Sequence, residues 1–292
     1  MVLHRSRFGG SICWDRSRCP HCQHTLAWYD LFPLLSYLYL RGKCRYCREK
    51  ISPKYPLIEL AMALTWGLTA YYLGFPLVQV DGLRLLWALW LMSIAFWISV
   101  YDLMYLEIPD RISRLAWISV LIYSIVNPSW GAILSALGIY SFFYLQILIP
   151  GGHFVIKNQK SFLLLELVRD YLLFPLWLTL NVFIPEKILA KCFLFKNYSE
   201  EELDLPVWIG GGDLIIGLIM GLLLGFPLSL VALAFSYFLG ALIGVIMIFY
   251  HKWQKGERKM VPFVPFLVSG TLVAFLWGNQ ILDWYLKVFL HR

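Results

Sequence analysis

The sequence predicts an all-α polytopic membrane protein of about seven transmembrane helices, headed by a small N-terminal cytoplasmic zinc-binding domain with four cysteine ligands. Three observations predict it. Of 292 residues, 60% are hydrophobic and only 15% charged, whereas a soluble domain carries about 25% charged residues. Seven apolar stretches, at 57–74, 83–101, 114–128, 131–149, 207–226, 228–250 and 262–280, approach the roughly 20 residues that a helix needs to cross a bilayer. Two C-x-x-C pairs lie ahead of all of them.

Residues 1–56 are read as the first domain. They hold ten Lys and Arg against three acids, the whole of the chain's formal net charge of +7. A basic segment beside a first span stays in the cytoplasm, and its opening residues have no apolar core of the kind a cleaved signal peptide needs. Cys19-Pro-His-Cys22 and Cys44-Arg-Tyr-Cys47, separated by 21 residues, have nearly the spacing of a four-cysteine zinc site. Each pair is a tight turn aiming two thiolates at one point, and a tetrahedral Zn²⁺ would close the two turns into one domain. A disulfide is the other reading, and a reducing cytoplasm disfavours it. A full four-sulfur shell leaves no open position, so the expected role is structural. His21 and His24 are read as surface residues, and Cys13 and Cys192 have no partners at ligand spacing. Between the pairs, "HTLAWYDLFPLLSYLYLRGKC" is too apolar for an ordinary loop. It reads either as an amphipathic hairpin against the membrane face or as a binding surface.

The segment 57–150 carries four of the expected spans, and 207–292 the other three. Counting crossings from a cytoplasmic start puts 75–82, 128–130 and 227 outside, with one acid, Asp81, and no Lys or Arg. The same count puts 251–261 inside, with Lys252, Lys255, Arg258 and Lys259, which is the charge asymmetry that insertion requires. The insert 151–206 has an apolar middle at 161–185, interrupted by Glu166, Arg169 and Asp170. Three charges at span depth are costly, so it is read as a cytoplasmic or interfacial segment. Membrane lipid is the expected partner of the basic loop, and no nucleic-acid partner is expected.

Asp102 closes the second span, and Asp213 follows Gly210, Gly211 and Gly212 at the start of the fifth. Alternating topology brings both to similar depth near the cytoplasmic face. Each alone reads as well as a helix-end charge or a cap. Two membrane acids at one level read better as a pair. Carboxylates a few ångströms apart share a proton, one acting as base toward water and the other as acid toward the scissile carbonyl. This is the chemistry of an aspartic peptidase. Asp110, after Pro109, reads as a cap for the next helix, Glu107 as a loop acid, and Glu59 as an acid buried near the cytoplasmic face, where its plain role would be to pair with a neighbouring Arg or Lys. A proton-coupled transporter, or a scaffold with a zinc-bound cap, also fits the composition, although transporter acids lie nearer the bilayer midplane.

The stretches 16–60, "YDLMYLEIPD" (101–110), "GGGD" (210–213) and "VPFVPFLVSG" (261–270) together resemble the bacterial prepilin peptidases, or type IV leader peptidases, which are membrane aspartic proteases of the G-x-G-D class. The resemblance implies that Asp102 and Asp213 are the catalytic pair and that the cysteine domain is the cytoplasmic insertion of bacterial members. It implies as substrate a type IV prepilin or pseudopilin, cut after a leader glycine at the inner face of the bacterial plasma membrane. It further implies N-methylation of the new terminus with S-adenosylmethionine, and places Glu59 in the methylation-linked region. Three departures stand out. The sequence starts at "MVLHRSRFGG" without the apolar helix that members usually place before the basic segment, so either it is truncated or this member has seven spans; Ile215 stands where the family often has lysine; and the insert 151–206 is longer than usual.

Overall fold

A computed structural model describes residues 16–73, 82–157, 211–254 and 261–289, together with Thr179. Among these the chain is helical, with no strand and only two isolated bridges, Arg18 with Thr25 and Lys43 with Lys50. A 3₁₀ turn at Trp28–Leu31 and the short α1 (Leu35–Tyr39) precede seven longer helices: α2 (Lys54–Tyr72), α3 (Gly82–Tyr105), α4 (Asp110–Val126), α5 (Trp130–Lys157), α6 (Gly211–Leu224), α7 (Leu228–Gln254) and α8 (Val264–Phe289). They fall on the seven apolar stretches. Four segments, Leu85–Tyr105, Trp130–Ile147, Leu228–Phe249 and Val264–Phe289, are long and apolar enough to cross a bilayer, and Ile112–Val126 and Gly212–Leu224 are shorter apolar helices. The chain is a multi-pass membrane protein. The helix α2, expected as a span, is not among the four, and Lys54, Glu59, Thr65 and Thr69 dilute its apolar character. Helix α5 runs eight residues past its expected end, through Pro150-Gly151-Gly152, so the expected insert begins inside a helix. The apolar stretch 161–185, apart from Thr179, lies outside the described residues, as do the loops 75–81 and 255–260.

The chain divides into two compact units, 1–104 and 105–292. In the first, the cysteine domain leads into α2 and α3, and the indole N–H of Trp66 donates to Ser93 Oγ at 3.0 Å between those helices. In the second, α6 is the hub, touching α4, α5, α7 and α8. Lipid tails are as apolar as leucine, so helices in a membrane associate through close packing and polar contacts rather than through water exclusion.

Glycines supply the closeness. Gly217 and Gly221 form a G-x-x-x-G step on α6. A Cβ on Gly217 would lie 2.5 Å from a ring carbon of Phe143, and one on Gly221 would lie 2.6 Å from the backbone nitrogen of Ala136. Nothing larger than hydrogen fits at Gly221, because the obstacle is backbone and cannot turn aside. On the other side of the unit, Gly270 of α8 meets Ser236 and the Ala232 carbonyl of α7 in the same manner. Polar side chains lock the contacts, with Ser135 of α5 2.5 Å from Ser229 of α7 and Gln146 Nε2 donating to Tyr237 Oη at 2.7 Å.

Two substitutions separate packing from helix propensity. Gly221→Ala is expected to destabilise by about 1–3 kcal/mol through overpacking. Gly244→Ala on α7, where an added Cβ meets nothing within 4 Å, is expected to stabilise by about 0.5–1 kcal/mol. Thermal unfolding in detergent reads both, and shifts of the same sign would reject the close-approach account.

Candidate active site and four-cysteine centre

The cysteine domain is two copies of one turn. In the first knuckle Cys19 N–H donates to the His24 carbonyl (3.0 Å) and Gln23 N–H to the Cys19 carbonyl (2.9 Å). In the second, Cys44 N–H donates to the Glu49 carbonyl (2.8 Å) and Arg48 N–H to the Cys44 carbonyl (3.1 Å). The fourth residue after each leading cysteine, Gln23 or Arg48, takes positive φ, 57° and 59°, which reverses the chain and closes the turn. The four sulfurs of Cys19, Cys22, Cys44 and Cys47 lie within 4.8 Å of one another, none in a disulfide, and Cys19 Sγ is 3.8 Å from Cys47 Sγ. Four sulfurs at about 2.3 Å from a tetrahedral ion stand about 3.8 Å apart, so the cluster fits such an ion. A disulfide would need about 2.05 Å.

Protons in the cluster are already unevenly held. Burial raises the Cys19 thiol, but N–H donors from Cys22 and His21 outweigh it and bring it down to about 7. The amide of Glu49 lowers Cys47, but burial and the neighbouring sulfurs of Cys44, Cys22 and Cys19 outweigh that and push it up to about 12. The histidines stay outside the cluster, and His24 stacks on Tyr46 at 3.7 Å between centroids.

A second polar centre braces the hairpin between the knuckles. Asp30, its side chain only 3% exposed, pairs with Arg45 at 2.7 Å and accepts from Tyr46 Oη and Ala27 N–H, each at 3.2 Å. The Arg45 guanidinium lies 4.9 Å from the Tyr29 ring centroid and 5.8 Å from that of Tyr39. Glu59, expected to be buried, is exposed, and its Oε2 accepts from the Leu34 N–H at 3.0 Å. Its partner is thus the hairpin backbone rather than a basic side chain, because the strained Leu34 (φ 60°) turns its amide toward α2.

The two aspartates are buried in separate units. Asp102 lies on the last turn of α3, 6% exposed, beside the buried Ser99 and Tyr101. Asp213 is 8% exposed and sits in the first turn of α6 rather than capping it, so the two stand at opposite poles of their helices. Residues 207–210 lie outside the described residues. Ile108, six residues after Asp102, presses against Gly212, the neighbour of Asp213. The Tyr237 hydroxyl, held by Gln146, is within electrostatic reach of Asp213. Asp110 is the first residue of α4, with Pro109 in the cap position. Sequence reasoning passed over Tyr237, Gln146, Asp30 and Arg45. The signal for the first two was a polar side chain inside an apolar run.

Comparison with known proteins places this arrangement. Residues 1–73 match the family model described as the bacterial peptidase A24 N-terminal domain. A prepilin leader peptidase/N-methyltransferase of Stutzerimonas stutzeri is 30% identical over 278 residues, covering 93% of this chain and 75% of that one. The chain belongs to the prepilin leader peptidase/N-methyltransferase family. A Bacillus subtilis member is 25% identical over 284 residues, covering 96% of this chain and 89% of its own. A type 4 prepilin-like proteins leader peptide-processing enzyme of Escherichia coli is 43% identical over 103 residues, 34% of this chain and 35% of that one. No solved structure matches.

In this family member the cysteines are expected to hold metal together. Replacing Cys19 and Cys44 by serine should remove most bound metal, read by plasma mass spectrometry, because the two knuckles lose one ligand each. Unchanged metal would reject the four-sulfur site. Asp30→Ala should loosen the domain by removing the shared partner of Arg45, Tyr46 and the Ala27 amide, seen as faster metal release to a chelator. Release at the unaltered rate would show that the pair does not brace the knuckles.

Proposed function

We propose that this chain is a membrane aspartic endopeptidase that removes the leader of a type IV prepilin or pseudopilin after a glycine, with Asp102 and Asp213 as a proton-sharing pair. The observation that carries the reading is that both carboxylates are buried, each at the end of an apolar helix. Burying an ionisable group in a membrane protein is costly and marks function. In the reaction one carboxylate, ionised, takes a proton from a water molecule as its oxygen bonds to the glycine carbonyl carbon. The other, protonated, donates to the carbonyl oxygen. Collapse of the tetrahedral adduct breaks the C–N bond as one of its hydroxyls returns a proton to the second carboxylate, and the proton taken from water passes to the departing amine.

The relatives' shared name also supports N-methylation of the freed amino terminus, with S-adenosylmethionine supplying the methyl group. The four-sulfur cluster is read as a structural zinc site, since a closed shell offers no position to substrate. The basic residues of 1–56 support a cytoplasmic placement for that domain, hence for the site, in a bacterial inner membrane. On this reading 57–150 carries Asp102, 207–292 carries Asp213, and 151–206 joins them.

Asp102→Asn and Asp213→Asn are each expected to lower cleavage of a prepilin in membranes by about 10³-fold or more, with metal content and expression unchanged. A gel shift and the N-terminal sequence of the product report it. Full processing by either variant would overturn the pairing.

A further inference from the structure

The hairpin between the knuckles exposes far more apolar surface than a domain braced so firmly needs to. Trp28 is 72% and Tyr39 78% exposed, and Phe32, Leu35 and Leu38 are exposed with them. This surface is not a loose tail. Trp28 contacts Phe32 edge to face at 5.8 Å, and Asp30 and Arg45 hold the backbone beneath it. Large exposed apolar patches on ordered elements mark interaction sites.

Three further observations bear on the occupant. The Glu59 carboxylate binds the amide of Leu34, five residues into α2, or about 7.5 Å along it at 1.5 Å per residue. That tie sets the hairpin at the level of the first turns of α2, on which Leu57, Leu60 and Leu64 are also exposed. Basic side chains flank the patch: Arg41, Lys43, Arg48, Lys50 and Lys54 are all exposed. Arg45 is withdrawn from them by Asp30. Finally, the exposed residues are Trp, Tyr, Phe and Leu, the set that enters the boundary between headgroups and acyl chains.

We propose that this hairpin is a membrane-docking element, in which Trp28, Phe32, Leu35, Leu38 and Tyr39 enter the interface of a bilayer while the flanking lysines and arginines meet anionic headgroups. The cysteine domain is then held against the lipid surface beside α2. A second protein would need a counter-charged face to satisfy the same basic rim, whereas an anionic bilayer supplies both the apolar layer and the charge in the right order. The proposal is independent of the peptidase reading.

The test uses the full chain reconstituted in vesicles of phosphatidylethanolamine and phosphatidylglycerol. A diazirine-bearing amino acid is installed in turn at Leu35, at Tyr39 and, as a reference, at the exposed His21 of the first knuckle. After illumination, adducts are identified by mass spectrometry, with bound metal confirming that each variant is folded. Lipid adducts at positions 35 and 39 should exceed those at 21 by at least tenfold, and should fall several-fold when phosphatidylglycerol is replaced by phosphatidylcholine. Adducts to protein in place of lipid at 35 and 39, or lipid labelling equal to that at 21, would overturn the docking element. Labelling indifferent to the anionic lipid would overturn the role of the basic rim.

Discussion

The contact of α5 with α6 at Gly217 and Gly221 is the constraint on which the second unit depends. Helix α6 meets four other helices, and it can do so only because its side toward α5 carries no side chain at two successive turns. Packing of this density replaces the hydrophobic effect, which has little to offer between helices already in lipid. The same rigidity serves Asp213. A carboxylate in the first turn of a loosely held helix would drift toward water, whereas one on a helix seated against backbone keeps its place. Ser135 with Ser229 and Gln146 with Tyr237 then fix the rotation of α5 against α7.

The first unit solves a different problem with different means. A small domain cannot bury enough apolar surface to hold itself, and this one places much of its apolar content on its outside. Four sulfurs and the Asp30–Arg45 pair take over the work of a core. Glu59 then connects the result to α2 through one hydrogen bond, so that the domain and the helix leading toward Asp102 form one compact unit.

Much of this was legible in the residues. Length and hydropathy located seven helices because a bilayer imposes one length scale on every span, and the cysteine spacing located the cluster because two short turns can aim only at a nearby point. Both aspartates stood out as acids in apolar surroundings. What was not legible depended on partners distant in sequence. Glu59 reads as buried among "YPLIELAM", since no local pattern says that the Leu34 amide, 25 residues back, would take it to the surface. Nothing beside Asp30 in the chain marks it, since Arg45 and Tyr46, 15 and 16 residues further on, are what make it the brace of the domain. Helix ends shifted for the same reason. Pro150-Gly151-Gly152 reads as a stop, and α5 nonetheless continues through it.

The repeated turn of the two knuckles bears on how the protein is made. Each has the same pair of hydrogen bonds and the same reversed residue, so each offers two sulfurs to an ion without help from the other. During synthesis the first knuckle leaves the ribosome with 21 residues still to come before the second. It can hold a metal ion through Cys19 and Cys22 in that interval, and Cys44 and Cys47 complete the shell as they emerge. The domain can then close while α2 is still leaving the ribosome.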